Sequence, residues 1–102
     1  MRSKYFNDYD RIANRVIEKV GGFEEYRAHD AQVFVLAEEV GEFIQEWRRY
    51  TRRARTEGTL VRLFEELADV IISAEVFAAL EGVDLDSCVA AKLEAIVERG
   101  GI

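Results

Sequence analysis

The sequence predicts an all-α protein. Proline is absent from all 102 residues, and the seven glycines stand mostly between segments rather than within them. Between the glycines, apolar residues recur at intervals of three and four, which is the spacing of a helix with one buried face. With 49% hydrophobic and 33% charged residues, the chain can form a packed core, and its length fits a single domain covering residues 1–102.

The helix boundaries are predicted from capping residues. The predicted segments are about 6–20, 29–53, 59–80 and 85–99. A glycine pair after the first segment suits a left-handed C-cap, Thr59 is the expected N-cap of the third, and Asp84 and Gly100 bound the fourth. Because short connections favour antiparallel neighbours, the predicted architecture is a four-helix bundle.

The third helix differs from the others because apolar side chains surround nearly its whole circumference. Between residues 67 and 80 only Asp69, Ser73 and Glu75 are strongly polar. Such a helix is expected to be buried, together with Asp69 and the neighbouring Glu66. Since so short a chain cannot cover this surface by itself, we expect two chains to associate through helix packing, as a homodimer or a dimer of dimers.

A ridge of glutamates borders the apolar stripe of the second helix. Its members lie within an arc of about 100°, and they are Glu38, Glu39, Glu42 and Glu46. Like charges at this spacing repel, so helix stability does not explain the grouping. Together with Glu66 and Asp69 of the third helix, the ridge offers carboxylates from two helices, which is a ligand type that Mg²⁺ accepts. A solvated acidic face and a buried carboxylate–arginine pair are the alternatives.

The two acidic segments also form a recognisable signature. Residues 38–42 read E-E-V-G-E and, after 23 residues (43–65), residues 66–69 read E-L-A-D. This pattern resembles the E-E-x-x-E and E-x-x-D motifs of the MazG-like nucleotide pyrophosphohydrolases, which belong to the all-α NTP pyrophosphatase superfamily. The resemblance covers about residues 28–99.

The resemblance implies an enzyme that uses Mg²⁺, with Mn²⁺ as a substitute, to hydrolyse a nucleoside triphosphate (NTP or dNTP). Cleavage between the α and β phosphates would give a nucleoside monophosphate and pyrophosphate. A non-catalytic helical adaptor or regulatory module that retains the fold is the alternative.

Individual roles follow from the same resemblance. The positions that match metal-binding carboxylates are Glu39, Glu42, Glu66 and Asp69. Glu38 matches a carboxylate that binds the metal directly or helps to orient the attacking water. Because a general base must not be wholly neutralised by the metal, we assign that catalytic role to Glu38. Lys92 and Arg99 stand where relatives place basic groups near the substrate, although Ile96 and Val97 replace the polar residue that often lies between them.

One dense basic run precedes the third helix. Its five arginines are at positions 48, 49, 52, 53 and 55, and Arg62 follows beyond Gly58. We assign Arg52 and Arg62 to the substrate phosphates, with a solvated run neutralised by nearby acids as the alternative. Nucleic acid is an unexpected partner because 20 acidic residues outnumber 14 basic ones.

Several other classes of protein are not expected. Cys88 is the only cysteine, so a disulfide or a thiolate zinc site cannot form within the chain, and Cys88 is expected to be a small core residue. No apolar run approaches the ~20 residues that span a bilayer, and residues 1–9 lack the apolar core of a signal peptide. We therefore expect a soluble cytoplasmic protein that does not bind membranes. No Glu-x-x-His pair is present for a di-iron bundle.

Overall fold

The computed structural model describes residues 4–54 and 57–100, and in these residues it contains five α-helices and no strand. They are α1 Phe6–Val20, α2 Phe23–Ala28, α3 Ala31–Tyr50, α4 Leu60–Leu80 and α5 Leu85–Glu98. The all-α prediction is confirmed. The short helix α2 is not predicted by the sequence pattern, because six residues are too few to establish a helical period. None of the described helices has the length and apolar character needed to cross a bilayer.

The helix ends lie close to the positions that the capping residues predict. α1 ends at Gly21, whose φ of 96° is left-handed. The Thr59 side chain accepts a hydrogen bond from the backbone N–H of Arg62 at the start of α4, and Asp84 accepts one from Ser87 at the start of α5. The two N-caps satisfy backbone N–H groups that a helix leaves unpaired at its first turn.

α3 is shorter than predicted at both ends. It begins at Ala31 because Asp30 has a φ of 50°, which interrupts the helical path from α2. It ends at Tyr50, and the φ of 59° at Arg52 prevents the helix from continuing to residue 53. These two left-handed residues determine how the chain enters and leaves α3.

α3 and α4 form an antiparallel hairpin, which is the most extensively packed helix pair. Near the start of α3, Gln32 Nε2 donates a buried 3.1 Å hydrogen bond to the carbonyl oxygen of Ser73. At the opposite end, Gly58 lies against Glu46 and Tyr50. α1 packs across α4, and the central core cluster consists of Ala13, Tyr26, Val76 and Leu80. The antiparallel pairing brings the two acidic motifs to the same level of the hairpin.

Much apolar surface is uncovered in the single chain. The C-terminal half of α4 contributes buried residues such as Val76 and Leu80, whereas Leu60 and Phe64 in its N-terminal half are 52% and 56% exposed. Asp69 is exposed as well. Within residues 67–80, Ile71 is 55% exposed. The prediction that this stretch is buried together with Asp69 is therefore wrong for the single chain, since α1 and α3 cover only part of the circumference of α4.

α5 makes no extensive contact with any other described helix. Its apolar residues Val89, Leu93 and Val97 are exposed. Cys88 is exposed too, so the expectation of a core cysteine is wrong, because little is packed against this helix. The described residues of one chain thus do not close a four-helix bundle.

A carboxyl pair connects α4 with the start of α5. Burial, a hydrogen bond with Asp86 and the charge of Asp86 together raise the pKa of Glu75 above its usual value of 4.5. A raised pKa means that the folded chain holds this proton more tightly than the unfolded chain does. The contribution of Glu75 to stability is therefore fully present below pH 4.5 and is lost as the pH rises through the folded pKa.

This pKa shift predicts a pH-dependent effect of Glu75→Gln. The variant is expected to unfold at a higher temperature than the natural chain at neutral pH, and to lose that advantage in acid, where Glu75 is protonated in both states. Thermal unfolding followed by circular dichroism measures the difference. Glu94→Gln, on an exposed position of α5, is the control, and an equal gain from both variants at neutral pH would contradict the prediction.

Candidate metal centre

Three carboxylates from the two acidic motifs converge in the α3–α4 hairpin. Glu39 and Glu42 lie one turn apart on α3, and Glu66 faces them from α4. One oxygen atom of each lies within 4.8 Å of the oxygen atoms of the other two. Glu39 and Glu66 are half-buried, whereas Glu42 is exposed, so this carboxylate cluster is shielded on one side and open to solvent on the other.

Among the described residues, no ion pair compensates the negative charge of the cluster. Burial, followed by the charges of Glu42, Asp69 and Glu66, raises the pKa of Glu39. Burial, followed by the charges of Glu42 and Asp69, raises the pKa of Glu66. Among residues 4–54 and 57–100, the Oε2 atoms of Glu39 and Glu66 are shielded from solvent and have no hydrogen-bond partner. A buried carboxylate oxygen without a donor or cation is costly.

Asp69 lies at the edge of the carboxylate cluster. Its side chain is exposed, and it is not among the three residues whose oxygen atoms converge. Its charge nevertheless contributes to the raised pKa values of both Glu39 and Glu66, so it is close enough to add to their electrostatic field. Asp69 is thus placed beside the open side of the cluster, one turn of α4 beyond Glu66.

Glu38 has an exposed side chain on α3 and is outside the converging set. It precedes Glu39 directly, so it projects about 100° around the helix from that residue. Glu38 is therefore adjacent to the cluster in sequence, but its carboxylate is not one of the three that converge.

The burial of Glu46 was not predicted from the sequence. It is the most buried carboxylate of the ridge, with an exposed fraction of 3%. Its Oε1 accepts a 2.8 Å hydrogen bond from Arg49, while its Oε2 is buried without a partner among the described residues. Its charge also contributes to the raised pKa of Glu66. The sequence contains one indication of this position, because Glu46 continues the glutamate ridge one helical turn beyond Glu42.

Comparison of the chain with protein-family models, curated proteins and solved structures found no match. The resemblance to the MazG-like pyrophosphohydrolases therefore stays a prediction, based on the two motifs and their spacing.

The four predicted phosphate-binding residues lie in three places: after the end of α3, in the first turn of α4, and in α5 with its C-terminal cap. Arg52 is exposed, with its guanidinium 4.0 Å from Glu57, and Arg62 is exposed in the first turn of α4. Lys92 and Arg99 belong to the loosely packed α5 and its C-terminal cap. In the part of the chain that the structure describes, no hydrogen bond or ion pair joins these four residues to the cluster.

The arginine run at the end of α3 is largely engaged in local contacts. Arg49 is paired with Glu46, Arg52 is close to Glu57, and Arg53 Nε donates to Thr51 Oγ1 at 3.1 Å. Arg48 donates a long 3.5 Å hydrogen bond to the carbonyl oxygen of residue 53. Only the contacts of Arg49 and Arg52 are with carboxylates, so they agree with the alternative of a self-neutralised run for these two arginines. The arginine at position 55 lies outside the described residues.

The donor set of the carboxylate cluster fits a hard divalent cation. All three converging atoms are carboxylate oxygens, and two of the carboxylates also carry a buried oxygen atom that has no hydrogen-bond partner in the described part of the chain. Mg²⁺ and Mn²⁺ accept such ligands and retain water or phosphate at their remaining positions. A cation at this point would stabilise the charged forms that burial, and then the repulsion between the carboxylates, disfavour in Glu39 and Glu66.

Proposed function

We propose that this chain is a Mg²⁺-dependent nucleoside triphosphate pyrophosphohydrolase. It hydrolyses an NTP or dNTP between the α and β phosphates, and releases a nucleoside monophosphate and pyrophosphate. The observation that supports this proposal best is the convergence of Glu39, Glu42 and Glu66, from two motifs far apart in sequence, within 4.8 Å. Asp69 at the edge of the cluster completes the proposed metal-binding set.

The chemistry needs neutralisation of phosphate charge and an aligned water molecule rather than a covalent nucleophile. When bound, Mg²⁺ supplies positive charge to the non-bridging phosphate oxygens. Glu38 is proposed to accept the proton of the attacking water, because its exposed carboxylate is not committed to the converging set. Lys92, Arg99, Arg52 and Arg62 are proposed to hold the substrate phosphates.

The proposed active form is a homodimer, either alone or as half of a dimer of dimers. The radius of gyration of the single chain is 16.1 Å, whereas a compact domain of about 100 residues has about 13 Å. Self-association would close the helical bundle that one chain leaves open. It would also give α5, with Lys92 and Arg99, a surface to pack against.

A pyrophosphate-release assay tests the proposed activity. The chain is expected to release pyrophosphate from at least one member of a panel of ordinary and damaged nucleoside triphosphates, with Mg²⁺ and not with EDTA. Glu42→Gln is expected to lower the rate at least ~100-fold, since removal of one transition-state-stabilising group commonly costs this much. Glu94→Gln, remote from the cluster on α5, is expected to retain the natural rate.

Inactivity toward the whole panel would favour the alternative, a non-catalytic adaptor that retains the fold. The alternative is supported by the lack, among the described residues, of a hydrogen bond or ion pair between the four predicted phosphate-binding residues and the cluster. Metal titration separates the two, because the enzyme binds Mg²⁺ or Mn²⁺ and loses this binding in Asp69→Asn. An adaptor without a metal site would show no saturable binding in either protein.

A further inference from the structure

We infer that the exposed apolar side of the α3–α4 hairpin is the surface through which two copies of this chain pack against each other. This apolar face consists of Val40, Ile44 and Trp47 of α3 together with Leu60, Phe64 and Ile71 of α4. The inference rests on the self-association proposed above and names its surface. It does not depend on the proposed chemistry.

Helical geometry places the two stripes of the apolar face on the same side of the hairpin. The α3 members lie about 80–140° around the helix axis from Glu39, and the α4 members about 140–180° from Asp69. Because the two helices run in opposite directions, both stripes turn to the side of the hairpin opposite the carboxylate cluster. The hairpin thus has an acidic side and an apolar side.

The size of the apolar face suits a stable interface. Each of its six side chains is between 39% and 56% exposed. Together they offer several hundred Å² of apolar surface, which approaches the ~800 Å² per partner that a standard interface buries. Trp47 and Phe64 are large aromatic residues of the kind that contributes most binding free energy at interface centres.

A second copy of the chain is the occupant that fits this face. Within the described residues only six hydrophobic residues are buried, so one chain has a small core and the apolar face needs a cover whenever the chain is folded. A second copy of the chain is available as a partner wherever the chain is produced. Two antiparallel hairpins related by a two-fold axis form a four-helix core. This arrangement leaves the two carboxylate clusters on opposite outer sides, where their charges do not repel across the interface.

Sedimentation velocity of the full chain and of matched variants tests the surface. The natural chain is expected to be a dimer or a dimer of dimers at micromolar concentration. Phe64→Glu places a charge in the centre of the face and is expected to raise the dissociation constant on the order of 100-fold or more. Phe34→Glu is the control, because Phe34 is 60% exposed on the side of α3 that faces away from α4.

A second, less disruptive variant is included in case Phe64→Glu does not fold. Ile44→Ala is expected to raise the dissociation constant on the order of 10-fold with helical content unchanged by circular dichroism, and it decides the outcome if Phe64→Glu loses its helices. A natural chain that is monomeric at tens of micromolar would overturn both the self-association and its surface. A dimer that Phe64→Glu and Ile44→Ala leave intact would overturn only the surface.

Discussion

Glu66→Gln is expected to stabilise the metal-free chain while abolishing its response to Mg²⁺. Without metal, the substitution removes a charge whose Oε2 is buried and unpartnered among the described residues. It also introduces an amide that can donate to Glu39 or Glu42, so we expect a gain of about 1–2 kcal/mol in the free energy of unfolding. With Mg²⁺ present, the natural chain is expected to become the more stable of the two.

The Mg²⁺ response has a calculable size. A cation at a concentration 100-fold above its dissociation constant stabilises the folded state by about 2.7 kcal/mol. For a chain of this length, that corresponds to a rise of about 10–20 °C in Tm. Thermal unfolding at fixed protein concentration and fixed ionic strength, with MgCl2 or with EDTA, measures the response. Glu94→Gln is expected to respond like the natural chain, and an equal Mg²⁺ response in Glu66→Gln would refute the proposed ligand set.

Two glycine substitutions in the hairpin are expected to have opposite effects on stability. A Cβ atom at Gly58 would lie 2.8 Å from both the Arg49 Cβ and the Tyr50 backbone nitrogen, and 3.0 Å from Glu46 Oε2. These contacts are too short to be relieved without movement of the α3–α4 connection. Gly58→Ala is therefore expected to lower the free energy of unfolding by about 1–3 kcal/mol.

Gly41→Ala is the matched comparison. Gly41 lies within α3, its φ is not left-handed, and a Cβ atom there would meet nothing within 4 Å. Alanine is expected to raise the free energy of unfolding by about 0.5–1 kcal/mol through its higher helix propensity. Urea unfolding of the three proteins compares them directly. A Gly58→Ala variant as stable as Gly41→Ala would show that the connection does not pack as described.

Features of the fold that are determined by residues close together in the sequence were predictable. Thr59 and Asp84 cap the helices that they were expected to cap, and the glycine after α1 adopts the left-handed conformation. The left-handed conformations of Asp30 and Arg52 were not predictable, because both residue types adopt right-handed helical dihedral angles far more often than left-handed ones. The position of α5 was not predictable either, since a helix period does not specify which surface covers the apolar stripe.

In the candidate site, too, some features could be predicted from the sequence and others could not. The two acidic motifs occupy helices that were expected to be antiparallel, so the approach of Glu66 to Glu39 and Glu42 follows from the pattern. The near-complete burial of Glu46 depends on Arg49 and on the close approach of Gly58, which are contacts made by the connection between the helices. Helix periodicity carries no information about such a connection.

The loose attachment of α5 has a consequence for how this chain folds. A 14-residue helix with few tertiary contacts is marginally stable in water, so its hydrogen bonds should open independently of the α3–α4 hairpin. Formation of this helix is then linked to the docking of its Val89–Leu93–Val97 stripe. When that docking is onto another copy, folding becomes a second-order process, and a midpoint of denaturation has meaning only at a stated protein concentration.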